Sequence, residues 1–184
     1  MPLLPFRGIV PTLAEDVFIA PGAMLIGDVR LGPGVNIWYN VVIRADTEPV
    51  TIGARTNVQD NCTIHVDPGA PCVIGEDCTL GHGAIVHGAH LGSRVLVAMH
   101  ATVLSHVTIG DDVMVGAGAV ISEGKTIESN KIVLGVPGKV IRDVTEAELQ
   151  RIKLNASGYE YLAREHRESL HMAGIVLDSD TSSH

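Results

Sequence analysis

Aromatic side chains are scarce in this sequence, in which Phe, Trp and Tyr make up 3% of 184 residues. Positive charge is scarce as well, because 13 Lys and Arg stand against 21 Asp and Glu, a formal net charge of −8. Without a run of basic residues, the chain has little to attract phosphate backbones or anionic membrane surfaces. Neither nucleic acid nor a membrane is therefore predicted as a partner.

Long apolar runs and paired cysteines are also missing. No stretch of about 18 apolar residues occurs, so no membrane span is predicted, and the first residues, MPLLPFRGIV, lack the charged start of a secretory signal. The three cysteines, Cys62, Cys72 and Cys78, are odd in number and have no CxxC spacing. These features predict a reduced, cytoplasmic protein.

A six-residue repeat of aliphatic side chains fills most of the chain. The fourth residue after each aliphatic position tends to be small, which assigns Cys62 and Cys78 to the core, and Gly often follows the aliphatic residue directly. A period of six fits neither an α-helix nor an alternating strand, and it is typical of a parallel β-helix. With short interruptions, the series comprises Ile19, Leu25, Leu31, Ile37, Ile43, Ile52, Val58, Ile64, Ile74, Leu80, Val86, Leu91, Val97, Val103, Ile109, Val115, Ile121, Ile127 and Val133.

This pattern resembles the left-handed β-helix of the hexapeptide-repeat proteins, over about residues 10–140. The resemblance implies three hexads per coil, and thus a triangular prism with 18 residues per turn. The interruptions at about 46–50 and 66–72 are then expected to project from the prism as loops. We assign residues 1–140 to this domain.

The segment 141–184 has a different pattern. Residues 145–148, TEAE, form a capping box in which Thr and Glu satisfy the first amides of a helix. Apolar residues at helical spacing predict a helix to about Leu170, packed on a face of the prism, and the polar tail 178–184 is predicted to be disordered. The apolar stripe comprises Leu149, Ile152, Ala156, Tyr159 and Ala163.

Three of the nine histidines, His65, His82 and His87, lie close together in the central repeats. Three neutral imidazoles with one open position form a catalytic zinc-type site. His87 follows His65 by 22 residues, and removing a four-residue interruption leaves 18, one coil. The same correction, 21 less three, puts Arg44 one coil before His65. Since adjacent coils lie about 4.8 Å apart, His65 and His87 are predicted to reach a common metal.

His82 belongs to a different column, in which Asp60 lies one coil earlier. It cannot easily reach the same metal from its own chain. Two prisms side by side can bring His82 of one to His65 and His87 of the other, and three such contacts close into a C3 homotrimer. Asp60 and Arg44 are then predicted to meet across the interface as an ion pair.

The motifs RAD at 44–46, NVQD at 57–60, CTIH ending at His65 and GHGAIVHG at 81–88 together resemble the gamma-class carbonic anhydrases. The resemblance implies that His65, His82 and His87 bind Zn²⁺, or Fe²⁺ or Co²⁺, at a trimer interface. It implies reversible hydration of CO₂ to bicarbonate by a metal-bound hydroxide, because the metal lowers the pKa of bound water to about 7.

The resemblance also implies roles for the residues around the metal. Arg44 and Asp46 contribute to subunit pairing and to bicarbonate binding, although a purely structural ion pair is an open alternative. Tyr159 reaches the pocket, or only packs on the apolar stripe. The implied residues behind the ligands are Asn57, Gln59 and Asp60, with Gln59 near the bound water.

This chain departs from the family pattern in the loop after His65. Well-known active members have an acidic loop there that relays protons, whereas here the loop reads VDPGAPCV and Asp67 is its only acid. Thr47 follows Asp46 where those members have glutamate, and Glu48 comes next. These differences predict low hydratase activity.

Other functions fit the same repeat. One is a hexapeptide acyltransferase that uses CoA with a histidine base, although three gathered histidines exceed what one base requires. Another, implied by relatives, is a thioesterase on CoA esters, and a third is a non-catalytic trimeric scaffold with a structural metal. The histidines off both columns, His90, His100 and His106, are predicted to lie on the surface.

Overall fold

The computed structural model describes residues 3–177, so the predicted disordered tail lies outside the described residues. The described residues form twenty strands and one helix: β1 (Leu3–Leu4), β2 (Thr12–Leu13), β3 (Phe18–Ile19), β4 (Met24–Leu31), β5 (Asn36–Ile37), β6 (Val42–Ile52), β7 (Asn57–Val58), β8 (Thr63–His65), β9 (Cys72–Ile74), β10 (Thr79–Leu80), β11 (Ile85–His87), β12 (His90–Leu91), β13 (Leu96–Val97), β14 (Thr102–Val103), β15 (Thr108–Ile109), β16 (Met114–Val115), β17 (Val120–Ile121), β18 (Thr126–Ile127), β19 (Lys131–Leu134), β20 (Lys139–Asp143) and α1 (Glu146–Met172).

The strands wind into a left-handed parallel β-helix of about seven turns, which confirms the predicted fold. One face contains β3, β5, β7, β10, β13, β16 and β19, and β20 closes it with an antiparallel pairing. The long strands β4 and β6 bend round a corner and connect the other two faces. The second face continues through β8, β11, β14 and β17, and the third through β9, β12, β15 and β18.

The aliphatic series lines the interior of the prism. Leu25, Ile43, Ile64 and Val86 stack in successive coils and are at most 1% exposed. Burial of each such side chain contributes about 1.5–3 kcal/mol. Adjacent coils lie about 4.8 Å apart. One aliphatic side chain from each face of each coil therefore fills the interior of the prism without aromatic rings.

The third face turns into the first through a stack of glycines. A Cβ on Gly75 would lie 2.5 Å from the carbonyl oxygen of Gly92, and one on Gly53 would lie 2.6 Å from the carbonyl carbon of Gly75. No real Cβ tolerates such contacts with backbone. The glycines are therefore required by the close approach of successive coils.

The two interruptions have different structures. A projecting loop is predicted for the first, but the structure has an extended bulge inside β6 instead. Gly27 pairs with Ala45, and Val29 pairs with Val50, so residues 46–49 oppose a single residue of β4. The second interruption does project, as a hairpin closed by a bridge between Asp67 and Ala70.

Helix α1 begins at the predicted capping box, with Thr145 and Glu148 exchanging hydrogen bonds. Its buried residues Ile152, Ala156 and Ala163 face the first sheet, where α1 contacts β3, β5, β7 and β10. The helix therefore lies against the first face of the prism. Among the described residues, no helix has the length and apolar character needed to cross a membrane.

Candidate metal centre

Arg44, His65 and His87 occupy one column on the second face. Arg44 pairs in register with His65, and His65 with His87, on the parallel strands β6, β8 and β11. This alignment agrees with the loop-corrected count from the sequence. Nδ1 of His65 lies 2.9 Å from Nε2 of His87, and the ring centroids are 4.9 Å apart. The two imidazoles therefore converge on one point of the wall.

Asp46 contacts the other side of the His65 ring. Its carboxylate lies 3.1 Å from Nε2 of His65 and accepts a second hydrogen bond from the guanidinium of Arg44. Burial raises the pKa of the Asp46 carboxyl, but the hydrogen bonds from Arg44 and His65 outweigh burial and hold the pKa below its ordinary value. Within one chain Arg44 thus pairs with Asp46, and its pairing with Asp60 of a second chain stays a prediction.

Ser105 and Asp67 contact the other side of the His87 ring. Oγ of Ser105 lies 2.9 Å from Nδ1 of His87 and donates a hydrogen bond to Oδ2 of Asp67 at 2.9 Å. Ser105 is not predicted by counting along the sequence, because the register pairs Val86 with Val103 and so aligns Leu104, not Ser105, with His87. A usable signal was the glycine directly after His87, since glycine often marks a close approach.

His82 lies at the corner between the first two faces, one coil after Asp60. Nδ1 of His82 is 2.7 Å from Oδ2 of Asp60. The His82 side chain is 45% exposed, compared with 19% for His65 and 27% for His87. Within residues 3–177 of one chain, no three His, Cys, Asp or Glu side chains are grouped to hold a metal ion. A single chain therefore does not bring His82 to the other two imidazoles.

Buried amides support the backbone at His82. Gln59 is 4% exposed, and its Oε1 accepts from the backbone N–H of His82 at 3.2 Å. Its Nε2 donates to Oδ1 of Asn57 at 3.1 Å, and the Asn57 amide donates in turn to Oγ1 of Thr79 at 2.8 Å. This chain of hydrogen bonds places the Gln59 amide beside the His82 corner.

The Tyr159 side chain packs against Trp38 and also reaches the candidate site at His82. Its ring contacts Trp38 edge-on at a centroid distance of 5.3 Å, and its hydroxyl lies 3.5 Å from Nε2 of His82. Burial raises the pKa of the Tyr159 phenol, with a further contribution from the Asp60 carboxylate. A cavity of about 480 Å³ opens here between the corner and α1, with Gln59, His82 and Tyr159 among its lining residues.

The other histidines and the cysteines of the repeat lie outside the candidate site. His90, His100 and His106 are exposed, as expected for histidines off the two columns. Cys62 and Cys78 are buried in the core, as their small inward positions predicted.

Comparison with known proteins identifies similar sequences and folds. The family "Bacterial transferase hexapeptide (six repeats)" matches residues 11–45 and 88–123. A Methanocaldococcus jannaschii protein named "Probable carbonic anhydrase" is 51% identical over 151 residues, which cover 82% of this chain and 95% of that protein. Gamma carbonic anhydrase 2, mitochondrial, of Arabidopsis thaliana is 37% identical over 85% of this chain and 58% of its own length. A hexapeptide transferase family protein from Anaplasma phagocytophilum superposes with a TM-score of 0.85 at 34% identity, over 89% of this chain and 96% of that chain.

Proposed function

This chain belongs to the gamma-class carbonic anhydrase family of hexapeptide-repeat proteins, and we propose that it is a metal-dependent homotrimeric enzyme that interconverts CO₂ and bicarbonate. The observation that carries the proposal is the convergence of His65 and His87 on one wall of the prism. His82 completes the ligand set from a neighbouring chain.

The geometry of the His65–His87 pair fits a divalent metal. Their facing nitrogens are 2.9 Å apart, and two imidazole ligands of a tetrahedral zinc ion lie about 3.3 Å apart at ordinary bond lengths. A small opening of the pair is enough to admit the ion. Neutral imidazoles suit Zn²⁺, Fe²⁺ and Co²⁺, and the bound ion supplies Lewis acidity that lowers the pKa of water to about 7.

The exposure of His82 supports a shared site. Its ring lies at a corner of the prism with nearly half of its surface open, where a second prism can approach. An interface that joins this corner to the His65–His87 wall is heterologous, and such an interface closes after three subunits when the rotation is 120°. Each trimer then has three equivalent sites.

The surrounding residues have separate tasks in this proposal. Asp46 accepts the Nε2 proton of His65, so the Nδ1 lone pair of that ring points at the ion. The Arg44 side chain is 44% exposed and offers a positive charge to bicarbonate. Gln59 uses one of its two amide N–H groups on Asn57, which leaves the other to orient a substrate oxygen. The Tyr159 hydroxyl closes the pocket at His82.

Metal analysis of the purified protein tests the proposal. After expression with zinc we expect about one ion per chain, a trimer mass in solution, and CO₂ hydration that a strong chelator abolishes. His82→Ala is expected to lower the metal content and remove hydration while the circular dichroism spectrum is kept. His100→Ala is the matched control, because His100 is an exposed histidine at the same corner one coil later.

Less than about a third of an ion per wild-type chain counts against the site. Acyl transfer from CoA that a chelator does not affect would favour the acyltransferase instead. A trimer that needs metal to assemble, but turns over neither CO₂ nor esters, would favour a scaffold with a structural ion.

A further inference from the structure

We propose that Ser105 and Asp67 are a positioning pair that holds the His87 ring with its Nε2 lone pair toward His65. This inference rests on the proposed metal centre and adds to it two residues beyond the assigned site. It also gives the short loop after His65 a role different from that of an acidic relay.

The direction of the hydrogen bonds assigns the His87 tautomer. An ionised carboxylate only accepts, so the hydroxyl proton of Ser105 goes to Oδ2 of Asp67, 2.9 Å away. The Ser105 oxygen is then the acceptor for His87, whose Nδ1 lies at 2.9 Å and carries the proton. Nε2 of His87 is left as a lone pair.

The two imidazoles therefore present matching lone pairs. Asp46 holds the proton of His65 on Nε2, and Ser105 holds that of His87 on Nδ1. Two lone pairs that face each other across 2.9 Å repel unless a cation lies between them. Such carboxylate and hydroxyl partners behind histidine ligands fix the tautomer and strengthen metal binding. Without Ser105, the His87 proton could move to Nε2 and bridge the two rings instead.

The fold builds this contact from an inserted hairpin and a glycine. The bridge between Asp67 and Ala70 closes the hairpin, and Asp67 of that hairpin contacts Ser105 beside His87. Gly88 permits the approach, since a Cβ there would lie 2.9 Å from Cβ of Ala70 and 3.3 Å from Oγ of Ser105. Ser105 itself is 4% exposed, so water cannot readily replace its hydrogen bonds.

Metal titration of Ser105→Ala and Asp67→Asn tests the pair. In competition with a chromophoric chelator we expect each variant to bind Zn²⁺ at least about tenfold more weakly than wild type, with Ser105→Thr restoring most of the affinity. Ser93→Ala is the control, because that hydroxyl accepts from the backbone N–H of Glu76 at another corner. Asp67 is half-exposed, so Asp67→Asn keeps the test valid if Ser105→Ala fails to fold.

Nitrogen NMR of the metal-free protein provides a readout independent of activity. We expect the His87 proton on Nδ1 in wild type and a shift toward Nε2 in Ser105→Ala. If wild type and both variants bind zinc equally and the His87 tautomer is unchanged, the inference is wrong while the proposed function stands. If wild type binds no zinc, the proposed function fails, and a His87 proton on Nε2 in that protein also overturns the positioning role.

Discussion

Nδ1 of His82 lies 2.7 Å from Oδ2 of Asp60, although 22 positions separate the two residues in the sequence. One coil of the β-helix, with the inserted hairpin, accounts for that separation. The backbone N–H of Gly83 donates to the carbonyl of Asp60 at 2.9 Å and fixes the alignment. The carboxylate therefore accepts the proton of His82 on Nδ1, and Nε2 is left for a ligand.

Asp60→Asn is expected to weaken zinc binding by about 10- to 100-fold, because an amide orients an imidazole ligand less strongly than a carboxylate does. Competition with a chelating dye measures the affinity, and light scattering on the same samples reports the trimer. Asp111→Asn is a suitable control, since that carboxylate accepts from the backbone N–H of Ser93 at the corner between the third and first faces. Wild-type affinity in trimeric Asp60→Asn would contradict the assigned role.

Gly75→Ala is expected to destabilise the β-helix by about 1–3 kcal/mol, because its Cβ would overlap the backbone of the next coil. Gly158→Ala is expected to stabilise the protein by about 0.5–1 kcal/mol. That position lies inside α1, and a Cβ there meets nothing within 4 Å. Urea unfolding of both variants measures the difference, and equal stabilities would show that the coils can separate at Gly75.

The first turn of α1 is expected to lose stability in acid. The Arg142 guanidinium, followed by the backbone N–H and hydroxyl of Thr145, holds the pKa of Glu148 well below its ordinary value. A carboxylate whose pKa is lowered by folding stabilises the folded state at every pH above its unfolded pKa. This contribution is lost progressively as the pH falls from the unfolded pKa toward the folded pKa.

Melting temperatures measured from about pH 6 down to pH 3 test this prediction around the ordinary glutamate pKa. The melting temperature of the wild type is expected to fall more steeply with decreasing pH than that of Glu148→Gln. Glu146→Gln serves as a control, since the Glu146 carboxylate accepts from the Gln150 amide on the exposed helix surface. If the melting temperatures of wild type and Glu148→Gln fall in parallel, Glu148 does not stabilise the folded protein in this way.

The three cysteines are expected to resist thiol reagents in the folded protein. Burial raises the pKa of Cys62, Cys72 and Cys78 to about 12, so at pH 8 only about one thiol in ten thousand is ionised. A disulfide-exchange reagent should label all three in denaturant and none in native buffer. Rapid labelling of the native protein would show that a coil opens.

The sequence by itself determined the fold and the main column of the site. The period of six predicts a parallel β-helix, and the resemblance to hexapeptide-repeat proteins implies three hexads per coil, with each aliphatic residue pointing at a common axis. Residue counting then aligned Arg44, His65 and His87, since strands in adjacent coils pair without other freedom. The capping box was readable for a similar reason, as its two hydrogen bonds join residues three positions apart.

The tertiary structure decided which residues lie behind the two imidazoles. Ser105 reaches His87 past Gly88, where a Cβ would crowd Ala70, beside a hairpin closed by the bridge between Asp67 and Ala70. Counting cannot find that contact, because Ser105 lies one position past the His87 column. The bulge at 46–49, expected as a loop, depends in the same way on where the ladder with β4 resumes. Such contacts arise from backbone paths at corners and insertions, where the repeat no longer constrains the chain.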